Sequence, residues 1–380
     1  MKLELTSMLL STTMLAAAAG EPWVYFGTYT SGASEGIYVS RFHPATGQLT
    51  EPQLVARIKN PSFLAVHPTQ KFLYAVSEVG DVQGQASGTI TAYAMDRRTG
   101  ALTALNTQLS GGTFPCHVSV DATGQCALVA NYGSGSFTAF PIQSDGRLLA
   151  AGTTIQHQGA GVNPQRQAGP HAHFIAPDRD NRFAFACDLG LDQIAVYRLE
   201  ANPARLTAHT PSGVTVAPGA GVRHLAIHPD GRWIYAVNEM ALTVGMFAYD
   251  AAAGTLTARQ TLSTVPADAA PTRHDSAAAI ALSPNGKFLY VSNRGRDDLA
   301  IFAVDSVSGG LTHLQNVSTQ GKTPRHFAIH PAGRWLLMEN QDSGTVIVFA
   351  LDADTGKLQS RVQTIHLAAP SCAVWVSGAD

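Results

Sequence analysis

The sequence predicts an all-β fold, a seven-bladed β-propeller of four-stranded antiparallel blades. Three observations predict it. One hairpin recurs along the chain, one turn recurs behind it, and the two ends hold complementary parts of a further copy.

The hairpin is clearest in "GVRHLAIHPDGRWIYAVNE" at 221–239. Its copies align on their turns at Pro68, Ala122, Arg179, Pro229, Pro284 and Pro331, which lie 54, 57, 50, 55 and 47 residues apart. A strand precedes each turn, as in "SFLAVH", "RHLAIH" and "RHFAIH". Another follows it: "KFLYAVSE", "QCALVANY", "RFAFACDL", "RWIYAVNE", "KFLYVSNR" and "RWLLMENQ". Several strands per unit of roughly 50 residues indicate propeller blades.

The second marker is Asp-x-x-x-Gly, at Asp96–Gly100, Asp250–Gly254, Asp305–Gly309 and Asp352–Gly356, with His43–Gly47 as a variant. Asp and Gly at these offsets suit a type I turn closed by a left-handed residue. A third strand leads into the turn and a fourth leaves it, which completes a blade.

The ends supply the seventh blade. "PWVYFGTYT" at 22–30 reads as a second strand, with "GIYVSRF" and "QLTEPQLVARI" as third and fourth. The missing first strand stands at the other end, as "SCAVWV" at 371–376. Joining the two closes the ring and removes exposed sheet edges. Blades one to six are numbered here by their turns, and the split blade is the seventh. A single domain over 20–380 is expected.

Residues 1–19 read differently. Lys2 and an apolar stretch from Met8 to Ala19, ending in small residues, fit a secretory signal peptide. A periplasmic or secreted protein is therefore expected, or a cytoplasmic one if the segment is not a signal. The stretch is short for a membrane span, and no later segment qualifies.

Composition narrows the function. Charged residues are 14% and the net charge is −2, so no basic field invites nucleic acid. There is no P-loop and no Gly-x-Gly-x-x-Gly behind a strand. Cys116, Cys126, Cys187 and Cys372 show no C-x-x-C spacing, which argues against a zinc site and a disulfide framework. No cofactor is expected, and a monomer is expected.

In a propeller the channel mouth is the natural pocket. Six residues before each turn stand Ser62, Cys116, His173, Arg223, Ala278 and Arg325. Nine and ten after it stand Ser77/Glu78, Asn131/Tyr132, Asp188/Leu189, Asn238/Glu239, Asn293/Arg294 and Asn340/Gln341. The recurring Asn suits strand ends and turn capping. The charges vary from blade to blade, which a structural repeat does not explain. Arg223, Arg294 and Arg325 converge on one rim and suit a carboxylate or phosphate. Glu239, held ionised among them, is expected to take a proton from water, and His173 to carry it. The arginines would stabilise the oxyanion of an attacked ester. His171 and His173 alternate on a strand and so face opposite sides. Among channel positions only Glu78, Asp188 and Glu239 are acids, so no metal is expected.

At this point the chain resembles the seven-bladed propeller lactonases, the bacterial type of 6-phosphogluconolactonase, which are similar to the fungal 3-carboxy-cis,cis-muconate lactonising enzyme. The resemblance rests on "YFGTYT", "PCHVSVDATG", "VANYGSGS", "PHAHF", "DLGLDQI", "RHLAIHPDGRWIYAVNE", "KFLYVSNRG" and "PRHFAIHPAGRW", which span nearly the whole chain after residue 22. It implies a lactone cleft at the channel mouth, with His173, Arg223, Glu239 and Arg294 as catalytic residues. Ala279 and Ala281 stand where the family commonly has an acid and a histidine.

The function expected is hydrolysis of a sugar lactone carrying an anionic group: 6-phosphogluconolactone to 6-phosphogluconate, or a related lactone. An exported enzyme would rarely meet the phosphorylated substrate, which leaves open an unphosphorylated sugar lactone or another lactone carboxylate. Arg325, His171, Asp188 and Asn238 complete the expected binding set. The alternatives are a muconate-type cycloisomerase and a non-catalytic binding propeller.

Overall fold

The structure, a computed structural model, describes residues 20–379 apart from 267, 270 and 271. The expected leader at 1–19 lies outside the described residues. Seven antiparallel sheets form, six following the order of their strands in the chain and the seventh led by the C-terminal strand. The first strands are Leu64–Val66, Pro115–Val120, Ala172–Pro177, Val222–Ile227, Ser276–Leu282, Pro324–Ile329 and Pro370–Val376. Each touches the first strands of both neighbouring blades, in an unbroken circuit. They therefore line the central channel.

Closure occurs as the ends require. Pro370–Val376 pairs antiparallel with Trp23–Thr28, with Trp23 opposite Val376 and Gly27 opposite Cys372. The fourth strand of this blade is broken into Gln48–Leu49 and Gln53–Arg57, both against Gly36–His43. Pro52 sits in the break, where a residue without an N–H does least damage to the ladder.

The core lies between blades. Each hydrophobic cluster draws on two adjacent sheets; that between blades five and six combines Ala279, Tyr290 and Leu299 with Phe327, Met338 and Phe349. Second strands such as Phe183–Asp188 are buried throughout, because a blade packs on both faces. Buried tyrosines tie successive blades. Tyr25, Tyr74, Tyr235 and Tyr290 each donate from the hydroxyl to a turn glycine of the next blade, Gly100, Gly146, Gly309 and Gly356, at 2.8–3.0 Å. In the Asp-x-x-x-Gly turns the glycine N–H returns to the aspartate carbonyl, as from Gly309 to Asp305 at 2.8 Å. Gly309 has φ +71°, and a Cβ there would strike the Trp233 ring.

One irregularity shapes the channel. The register of the first strand slips at its mouth end in six blades. Ser371, Cys116, His173, Arg223 and Arg325 are each the extra residue of a β-bulge, without a cross-strand partner. In blade five Ala278 and Ala279 together oppose Ser292. A bulge re-aims side chains. Consecutive residues, Arg223 with His224 and Arg325 with His326, therefore line the same inner space.

Candidate active site

Glu239 follows the second strand of blade four, Trp233–Asn238, and is buried. Its Oε2 accepts from Arg223 Nε and pairs with an outer nitrogen of Arg294, each at 3.0 Å. Its Oε1 accepts from Arg166 at 2.6 Å. Burial alone would raise this carboxyl. Arg294, Arg223 and Arg166 outweigh that and hold it well below the usual carboxylate range. Arg223 also donates to the Ala278 carbonyl at 2.7 Å, and Arg294 to that of Ala277 at 3.2 Å. Small residues in blade five thus open its backbone to both guanidiniums. That is a physical reason for alanine at 277 and 278.

His173, from the bulge of blade three, is buried, and its Nδ1 has no hydrogen-bond partner. Burial first, then Arg223, drives the imidazole well below its ordinary value, against the pull of Glu239. The ring is neutral at neutral pH. It stands edge-on to Tyr132 at 5.6 Å and to His224 at 5.0 Å between centroids. Beneath it the channel is stopped by packed rings. His117 lies 4.4 Å from both Phe63 and Phe174, and His224 lies 5.4 Å from His117.

Across the mouth, Arg325 has a different partner. It donates to the Tyr29 hydroxyl at 2.6 Å, which donates to Glu78 Oε2 at 2.7 Å. Its guanidinium lies over the Tyr29 ring at 5.0 Å. Arg223 and Arg325 line one narrow chamber, together with Tyr29, Cys116 and His326.

The structure brings together His173, Arg223, Glu239 and Arg294, with Arg325 across the chamber. His171 sits at the rim, stacked on Tyr132 at 4.5 Å, and its Nδ1 donates to the Tyr132 carbonyl. Asp188 and Asn238 need correction as binding residues. Asp188 is fully buried, accepts from the backbone N–H groups of His171, Gly190 and Leu191, and holds His157 at 2.7 Å. Asn238 donates to Thr243 Oγ1 at 2.9 Å. Both occupy the repeat position where Asn131, Asn293 and Asn340 bind loop carbonyls. That position ties loops to blades.

Arg166 and Tyr29 escaped the sequence reading. Tyr29 follows Thr28, the end of the split blade's second strand, so it holds the same repeat position as Glu239. Carrying the turn count across the closure finds it. Arg166 lies in the connection between Thr153–Gln156 and Ala172–Pro177, which has no counterpart in the repeat, so no count reaches it.

The geometry also redistributes the expected roles. A carboxylate held ionised by three guanidiniums is a weak proton acceptor, but it fixes those guanidiniums around one point. A neutral imidazole beside them can accept a proton as negative charge develops nearby. Among the described residues, no three His, Cys, Asp or Glu side chains are placed to hold a metal ion.

Comparison with known proteins extends over the whole ring. A family model described as "Lactonase, 7-bladed beta-propeller" matches residues 23–375. A 6-phosphogluconolactonase of Bacillus subtilis is 37% identical over 92% of this chain and 96% of its own. One from Formosa agariphila is 33% identical over 90% of this chain and 96% of its own. The solved structure of a periplasmic gluconolactonase of Pseudomonas aeruginosa superposes with a TM-score of 0.88 at 36% identity, covering 93% of this chain and 99% of that one.

Proposed function

The chain belongs to the seven-bladed β-propeller lactonase family and is a lactone-opening carboxylic ester hydrolase; on that premise we propose that it hydrolyses a sugar lactone in the sector of the mouth formed by blades three to five. The observation that carries the assignment is the convergence of Arg166, Arg223 and Arg294 on buried Glu239, next to the unpartnered neutral His173.

Water adds to the lactone carbonyl while His173 takes its proton. The oxygen of the tetrahedral intermediate becomes an anion facing Arg223 and Arg294, which are already fixed and need no rearrangement. The C–O bond of the ring then breaks, and His173 returns the proton to the departing oxygen. The product is a hydroxy acid, which loses its carboxyl proton to solvent, and its carboxylate remains beside the guanidiniums. Glu239 holds them apart and aimed. The anion expected of the ligand is thus the one that the reaction makes.

The apolar leader and the periplasmic relative together support export. Expression in a Gram-negative host should yield protein cut near Ala19 in the periplasm. Intact protein in the cytosol would remove this part of the proposal. The reaction itself is tested by following acid release from a panel of sugar lactones in a pH-stat, with and without chelator. Failure to exceed the spontaneous rate with every lactone would overturn the assignment.

A further inference from the structure

Tyr29 and Arg325 line two spaces. One is the chamber that holds Arg223, and the other is an open depression between blades six and seven, bordered by Ser31, Gln341, Asp342 and Ser343. For a lactone with its carbonyl at the guanidiniums, this depression lies on the other side of the Tyr29–Arg325 pair, where the tail of the sugar would be met.

The charges there are balanced or negative. Arg325 is the guanidinium of this side, and its charge is already met by Glu78 through the Tyr29 hydroxyl. Asp342 adds a carboxylate, which accepts from Thr323 Oγ1 at 2.5 Å. Lys322 is paired with Asp297 at 2.9 Å. The relay is built in. Asn60 accepts from the Thr30 backbone N–H and donates to the Glu78 carbonyl, and the Glu78 N–H returns to the Asn60 carbonyl.

A phosphate monoester carries a charge of about −1.5 to −2 near neutral pH and needs several unengaged donors. This depression offers the Asp342 carboxylate, hydroxyls and an amide, with Glu78 behind the Tyr29 hydroxyl, and these suit sugar hydroxyls that both donate and accept. We infer that Glu78, acting with Asp342, is a specificity determinant that selects lactones with an uncharged polyhydroxyl tail and disfavours a phosphorylated tail. This rests on the lactonase reading above and goes beyond it.

The test compares kcat/KM for D-glucono-1,5-lactone and its 6-phosphate ester. Wild type should favour the neutral lactone at least tenfold. Glu78→Gln, alone and with Asp342→Asn, should narrow that ratio about tenfold, through a lower KM for the phosphate ester. As a measurement on wild type alone, gluconate should inhibit more strongly than 6-phosphogluconate. A wild-type preference for the phosphate ester, or a ratio unmoved in folded variants, overturns the inference and leaves the lactonase reading standing. Hydrolysis of neither, while another sugar lactone of the panel is opened, overturns the inference alone; hydrolysis of no lactone overturns both.

Discussion

In blades three to five, three guanidiniums close on one carboxylate; across the mouth, a single guanidinium reaches a single carboxylate through a tyrosine hydroxyl. The residue types are nearly the same, and the balance of charge is not. The first sector has cationic capacity to spare for an anion that appears during reaction. The second is neutralised before any ligand arrives. Both stand on one scaffold, so the difference lies in side chains and not in backbone architecture.

The sharpest way to break this contrast is to remove cations from each side. Arg294→Ala should lower kcat/KM by about 10²–10³-fold, or roughly 3–4 kcal/mol, as loss of an oxyanion donor does. Arg294→Lys, which keeps the charge, should recover part of it. Arg325→Ala should cost about tenfold, chiefly in KM. Equal losses on the two sides, in kinetics on folded protein, would end the division of labour.

Glu239→Gln comes next. A positioning carboxylate predicts a fall in kcat of about 10²-fold together with tighter inhibition by the carboxylate product, because a negative neighbour has gone. A fall in kcat with unchanged product affinity would return Glu239 to the role of base.

The histidine floor beneath both sectors gives a pH test. Burial, followed by Arg223, pushes His117 down to about 3, and His173 and His224 are likewise driven well below the ordinary value. Folded rings stay neutral where unfolded ones gain a proton. Stability contributed by their burial is therefore complete above about pH 6.5 and falls as pH drops below it, by up to about 1.4 kcal/mol per pH unit for each ring. Urea midpoints at pH 7 and pH 5 should differ accordingly, while kcat should show no inflection at the ordinary histidine value. Such an inflection would mean that His173 is charged at the start of the reaction.

The smallest effect is a control. Asn131 bonds the Ser110 carbonyl at 3.1 Å and belongs to the loop-tying position. Asn131→Ala should cost about 1 kcal/mol of stability and leave kcat within a factor of two. A large kinetic loss would show that the working sector had been placed in the wrong blades.

Much of the ring could be read from sequence, because a blade repeats its own constraints. Turn glycines, apolar second strands and the complementary ends each repeat or complete a pattern. The site was legible where charge broke that pattern, as at Arg223, Glu239 and Arg294. It was misread at Asp188, whose polarity serves loops, while Asn238 turns its amide to Thr243. Spacing cannot tell an amide that binds a carbonyl from one that binds a ligand. Arg166 was illegible because it lies outside any repeat, and Tyr29 because its blade is divided between the two ends of the chain.

The bulges at the mouth have a consequence for inheritance and redesign. A residue within a regular ladder is coupled to those opposite it, so changing its character disturbs pairing and packing together. Arg223, His173 and Arg325 have no partner across the strand. Each is therefore released from the pairing constraint of the ladder, and its remaining ties are those of its side chain, as Arg223 to Glu239 and Arg325 to Tyr29. A lineage could exchange one chemistry for another at such positions by changing a bulge residue together with its side-chain partner, and a library that varies such pairs would leave the strand pairing of the ring untouched.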